Sequence, residues 1–159
     1  MVLLNYWRYL ECIQRNIEHY SQLIDTDGQI NWEVNAGRLE SRYLNQNMFA
    51  QFSTSSSPDI SPSDYSLSNQ NNNIQFDSIS TSISVEEGEG VKRVFTIIGR
   101  HTATSTGSNI PIYRVAVGKA FQDRGDAWHY VLFVEMDLEE PIIVQPHESF
   151  TITLSWNED

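Results

Sequence analysis

Two periods of apolar residues run along this chain, and the change from one to the other divides it. Leu3, Tyr6, Leu10, Ile13, Ile17, Tyr20 and Ile24 fall at alternating intervals of three and four, the a/d spacing of a helix that hides one stripe. The spacing predicts a single helix over residues 3–24. Asp25, Thr26, Asp27 and Gly28 should end it, because aspartate favours turn geometry and Gly28 admits the left-handed conformation. Few charge pairs flank the stripe, so two uses stay open: assembly with another copy, or docking on a β domain. From Gln29 onward the signal is that of strands. Residues 29–34 and 48–52 are short candidates, and 53–67, rich in Ser, Pro and Asp, predicts a surface crossing that the polar run 68–73 continues.

The alternation then becomes regular. Ile79, Thr81, Ile83 and Val85 alternate with serines, an acidic glycine-containing turn follows at 86–90, and residues 91–98 complete a hairpin. A further strand spans 110–117, with Pro111 near its start, where a missing N–H donor is tolerated. After a turn at 122–126, Trp128, Tyr130, Leu132, Val134 and Met136 share one face, opposite His129, Val131, Phe133 and Glu135. With apolar residues on both sides, this segment is expected to be a central strand. A short strand at 142–144 follows, and Phe150, Ile152, Leu154 and Trp156 alternate with Thr and Ser in the last one. Six to eight strands without alternating βα units predict a mainly β fold: an antiparallel β-sandwich, jelly-roll or immunoglobulin-like, with an N-terminal α-helix. Residues 1–28 form the helical arm in this division and 29–159 the sandwich. Its expected core includes Phe95, Trp128, Leu132, Phe150, Ile152, Leu154 and Trp156.

Charge narrows the partners. The formal net charge is -11 and the isoelectric point about 4.6, a balance that repels phosphate backbones and anionic headgroups, so neither nucleic acid nor membrane is an expected partner. Cys12 is the single cysteine, which precludes an intrachain disulfide and a cysteine-based zinc site. The first residues lack a basic stretch and a small-residue cleavage site, so the chain is expected to be soluble and unsecreted.

The chemical motifs are weak. Arg124, Gly125 and Asp126 spell an integrin-type tripeptide, yet the same residues are ordinary turn composition. Asp25 to Gly28 resembles the start of a calcium loop but lacks the glycine at the sixth position and the glutamate at the twelfth. The acidic runs 86–89 and 135–140 have the oxygen chemistry for a divalent cation between subunits, although solvated turns explain them as well. His19, His101, His129 and His147 show no metal-ligand spacing, no nucleophile elbow is present, and Gly88 and Gly90 lie among glutamates that would repel a phosphate. No catalytic, cofactor-binding or metal-ligating residue is assigned, and no cofactor is expected. The aromatic content leaves a lectin-like stacking surface open, but Trp128 and Trp156 lie in the sets expected to face the core.

Four segments carry a resemblance: the turn Asp25 to Gly28, the loop from Pro62 to Leu67, the strand containing Val94, Phe95 and Ile97, and the closing run 141–156. Their order resembles small virion proteins of tailed bacteriophages and related prokaryotic viruses. The resemblance implies a β-sandwich structural component of a head or tail, without catalytic residues, located in the virion and in contact with other copies of itself and other virion proteins. The expected function is therefore a non-enzymatic capsid decoration or head-associated protein forming symmetric homo-oligomers. Two alternatives remain: a tail, neck or fibre component, and a carbohydrate-binding module that recognises a host surface.

Overall fold

Alternation of apolar and polar side chains builds two three-stranded antiparallel sheets packed face to face, a β-sandwich with one N-terminal helix. The computed structural model describes residues 1–15, 19, 20, 22–35, 38–103 and 107–157. In chain order the elements are α1 (Leu4–Gln14), β1 (His19–Tyr20), β2 (Val34–Asn35), α2 (Leu39–Arg42), β3 (Met48–Ser53), β4 (Ile74–Glu86), β5 (Gly90–His101), β6 (Ile110–Gln122), β7 (Trp128–Val144) and β8 (Ser149–Asn157). One sheet has the order β3-β6-β7 and the other β4-β5-β8, while β1 and β2 form a separate short pair. The hairpin expected around residues 86–90 is β4–β5, with Val85 opposite Val91.

Between the sheets, Phe52, Phe95, Ile97, Val115, Val117, Ile152 and Leu154 are buried in one cluster. Phe95 stacks on the half-buried Trp156 with ring centroids 4.9 Å apart, and Phe150 meets Phe52 edge to face at 5.3 Å. Gly99 makes room for Phe150, because a Cβ there would lie 2.5 Å from the ring. Burial of this kind stabilises at roughly 25 cal/mol per Å² of apolar surface, so the two inner faces dominate the fold's stability.

Helix α1 stops at Gln14, ten residues short of the expected end. Leu3 lies in extended backbone before it, Ile17 falls outside the described residues, and Tyr20 pairs with Val34 in the β1–β2 ladder. Asn5 explains how residue 24 is held without a helix: its amide donates to the Ile24 carbonyl (2.9 Å) and accepts from the Ile24 N–H (3.1 Å), as a neighbouring strand would. Intervals of three and four thus persisted across a helix and an extended return, both of which hide apolar residues on the same body. Tyr6, Tyr9 and Cys12 are buried against Phe121, Val131, Phe133 and Val134, with Leu10 and Ile13 half-buried beside them. The helix is docked on the sandwich.

Strand β7 is an edge strand of its sheet rather than a central one; β6 takes the centre. Its apolar composition on both faces has another cause. Residues 1–3 run along its outer edge, with a Val2–Val134 bridge and the Leu3 N–H donating to the Phe133 carbonyl at 2.7 Å. It also runs on without a break to Val144, so the short strand expected at 142–144 is its end: Tyr113 alone spans residues 138–141, because Ile112 pairs with Ile142 and Arg114 with Asp137.

A second irregularity decides which side chains reach solvent. Val117 pairs with Val134, but Gly118 pairs with Leu132, which leaves Phe133 as an extra residue in a β-bulge. An inserted residue reverses the period-two alternation, so Val134 and Met136 face inward, Val134 under helix α1 and Met136 against the inter-sheet cluster, while Trp128, Tyr130 and Leu132 face outward. Leu132 is buried there under Leu3, Leu67 and Phe49, whereas Trp128 is 49% exposed. The assignment of Trp128 to the core is therefore corrected: the bulge turns its face over.

Candidate functional site

The outer face of the β3-β6-β7 sheet is covered by Leu3, Ile60 and Leu67 over only part of its length. Beyond them it opens into a cleft of about 480 Å³, which adjoins a second hollow of about 360 Å³ along Phe49, Phe76 and Tyr130. One half is lined by Thr26 and the carboxamides Gln51, Gln70, Asn72 and Gln75; the other by Asn47, Met48, Ala120 and Trp128. Charged residues make up 19% of the chain, yet none of the described lining residues is charged. Three aromatic rings stand partly in solvent: Trp128, Tyr130 at 48% exposure and Phe76 at 37%.

Gly118 and the bulge hold this surface in place. A Cβ on Gly118 would lie 2.1 Å from the Val131 carbonyl oxygen and 2.8 Å from the Phe49 ring, so only glycine lets Phe49 lie flat across β6. Phe49 in turn meets Tyr130 edge to face, centroids 5.3 Å apart and planes at 86°. That arrangement fixes one side of the tyrosine and leaves the other to the cleft. The Thr26 N–H donates to the Tyr130 carbonyl at 2.8 Å, joining the turn after Ile24 to the cleft wall.

At His129, between Trp128 and Tyr130 on β7, lies a largely buried charged cluster. His129 Nδ1 is 2.7 Å from Asp25 Oδ2 and Nε2 is 2.8 Å from Asp123 Oδ2. With a carboxylate oxygen against each ring nitrogen, the arrangement favours the doubly protonated imidazolium, which can donate to both. Burial alone lowers the pKa of such a group, but the hydrogen bonds to Asp25 and Asp123 outweigh it and hold His129 above the ordinary histidine value. The bond from His129, assisted by the Ala127 and Gly125 N–H groups, holds Asp123 below the ordinary aspartate value against a smaller effect of burial. The other oxygen of Asp25 accepts from the Asp27 and Gln29 N–H groups, at 3.0 and 2.8 Å. The turn expected to end a helix or begin a calcium loop thus anchors a buried ion cluster.

Two other buried charges are tethers. Arg114 donates to both oxygens of Asp137 (2.6 and 3.2 Å) and to the Ser56 carbonyl (2.6 Å), which ties the 54–73 crossing to β6. Glu135 lies 3.8 Å from the same guanidinium; burial, reinforced by Asp64, raises its pKa to about 7 despite Arg114. The Lys119 ammonium donates to the carbonyls of Glu40 and Gln46, and burial lowers its pKa to about 8.

The other sequence candidates lie apart. Arg124 pairs with Glu33 at 3.5 Å and Asp126 with Arg38 at 2.5 Å, so both charged ends of the tripeptide are engaged within the chain. His101 is buried with Nε2 3.1 Å from the Ser108 carbonyl, and His147 sits exposed in the β7–β8 turn at φ 66°. Among the described residues no group of three or more His, Cys, Asp or Glu is placed to hold a metal ion. Of the expected core residues, Phe95, Leu132, Ile152 and Leu154 are buried and Phe150 and Trp156 half-buried. Sequence reasoning missed the cleft and the Asp25–His129–Asp123 cluster. One signal for the cleft was present: Gly118 inside a strand pattern marks a bulge or a close approach.

No protein family, curated protein or solved structure matches this chain. Fold and site define its class: an antiparallel β-sandwich with an uncharged aromatic and carboxamide cleft on one sheet.

Proposed function

We propose that the chain is a non-enzymatic recognition module that binds a neutral carbohydrate in the cleft between Trp128 and Gln51. The observation that carries this reading is the lining itself: aromatic rings and five carboxamides, with no charge among the described lining residues, on a chain of net charge -11. The C–H faces of a sugar ring stack on aromatic π surfaces, and its hydroxyls, which both donate and accept, match Asn and Gln side chains. An anionic ligand finds no cation here, and a cationic one finds no carboxylate. The pre-set Phe49–Tyr130 pair lowers the cost of ordering on binding. His129 has both nitrogens occupied, and no His, Asp, Glu, Lys or Cys is among the described lining residues to act as an acid–base group.

A glycan array followed by titration calorimetry tests this. Binding to at least one neutral glycan, weakened about tenfold or more by Trp128→Ala or Tyr130→Ala, is the expected result. An array with no neutral hits, or binding indifferent to both substitutions, rejects it.

A second reading, a virion structural component assembling with copies of itself, draws on the sequence resemblance and on the β4–β5 hairpin. Ile83 and Val85 continue the inward-facing set of Ile79 and Thr81, yet they are 59% and 74% exposed. Such an apolar overhang fits a subunit contact. Sedimentation of the chain and of an Ile83→Asp, Val85→Asp variant tests it: a monomer in both cases removes the support.

A further inference from the structure

We infer that the two halves of the cleft are successive subsites for one linear neutral oligosaccharide, the aromatic half stacking one sugar ring while the carboxamide half reads the hydroxyls of the next. The inference rests on the carbohydrate reading above and deepens it. The hollows are unlike in chemistry. Around Trp128 the wall is Met48, Ala120 and the aromatic rings with Asn47 alone as a carboxamide, which suits a ring's apolar face; around Gln51 four carboxamides and Thr26 stand beside Ala50 and Ile74, which suits its hydroxyl edge. They share Phe49, Phe76 and Tyr130, so a ligand filling both passes over Tyr130 without leaving the protein surface. A single ring would leave one of these two chemistries unused.

Gln51 supplies an independent observation. Its carbonyl oxygen is buried without a hydrogen-bond partner, although the residue lines the cleft and is only half-buried. An unpaired buried carbonyl is costly, and the terminal torsion of glutamine is soft. Turning the amide toward a ligand hydroxyl therefore breaks no existing bond of that oxygen and satisfies it. Gln51 is positioned to report the second sugar unit, as Trp128 reports the first. A site that hydrogen-bonds a hydroxyl also discriminates strongly against ligands lacking it.

Calorimetric titration of the whole chain with neutral gluco-, manno- and galacto-oligosaccharides of one to six units tests this. In the series that binds, affinity should rise about tenfold or more from the monosaccharide to the di- or trisaccharide and then level off. Gln51→Leu should remove that rise, whereas Trp128→Ala should weaken every length. Circular dichroism melts establish that both variants remain folded. A monosaccharide that binds as tightly as the hexamer, or a Gln51→Leu variant that keeps the full length dependence, overturns the two-subsite inference and leaves the carbohydrate reading standing. If no neutral saccharide of any length binds, both fall together.

Discussion

The rings of His129 and Trp32 lie parallel, centroids 4.1 Å apart and planes 1° apart, with a carboxylate at each end of the imidazole. A cation over an indole face is favoured by the ring quadrupole, and here both partners are buried. Trp32 is itself oriented by donating from Nε1 to the Gln29 carbonyl at 3.1 Å. One imidazolium thereby joins the turn at Asp25, the segment before β2 and the start of β7, and it sits between Trp128 and Tyr130 in sequence.

His129→Gln should destabilise the domain by roughly 3 kcal/mol, because it leaves two carboxylates without their shared cation, Asp25 among them buried. The pH dependence has a definite sign. His129 is held above its unfolded value, so its contribution is full below about pH 6.5 and is lost as pH rises through the folded value. Asp123 is held below its unfolded value, so its contribution is present above about pH 4 and lost on acidification. Urea melts at pH 5.5 and 8.5 should show the wild type more stable at the lower pH. The difference should shrink in His129→Gln; an unchanged difference would mean that His129 is not the titrating group.

Glu135 contributes in the same direction and Lys119 in the opposite one. With its pKa raised to about 7, Glu135 favours the folded state most when protonated, and this is lost as pH rises through about 7. Lys119, lowered to about 8, favours the folded state increasingly as pH rises from there toward its unfolded value. Glu135→Gln should therefore flatten the loss of stability between about pH 4.5 and 7 while leaving the limb below about pH 4 unchanged. Thermal melts across that range decide it, and a Glu135→Gln variant as pH-sensitive as the wild type contradicts the assignment.

Gly118→Ala should cost roughly 3 kcal/mol, at the upper end of ordinary overpacking, since the new methyl meets backbone at 2.1 Å. It should also weaken ligand binding by displacing Phe49 from Tyr130. A crystal structure or NMR spectrum of the variant with the Phe49–Tyr130 contact unchanged would show that the bulge, not the glycine, sets the cleft.

How much of this was legible in the sequence depended on whether a signal stayed local. Ile152 and Leu154 announced themselves because β8 is regular from end to end, and period two survives wherever no residue is inserted. Trp128 did not, because Phe133 bulges against Gly118 and reverses the faces, and which residue bulges is settled by a partner strand. The helix end was hidden because Tyr20 and Leu23 are buried by an extended segment on the same body that α1 covers. His129 and Asp25 are 104 positions apart, a pairing that no spacing rule reaches.

Trp128→Ala and Trp156→Ala should separate the two faces of the molecule. Both tryptophans occupy positions where alternation points inward, yet Trp128 is half in solvent, whereas Trp156 stacks on Phe95 and meets Tyr6 edge to face at 5.8 Å. Removing Trp156 should cost roughly 3 kcal/mol by opening a cavity between helix and sandwich, and Leu154→Asp, which buries an unpaired charge, should prevent folding altogether. Removing Trp128 should change stability by less than about 1 kcal/mol, because little of its packing is with the core. Denaturant titrations measure the first effect, and binding of a neutral glycan the second. A Trp128→Ala loss as large as that of Trp156→Ala would return Trp128 to the core and take the aromatic wall of the cleft with it.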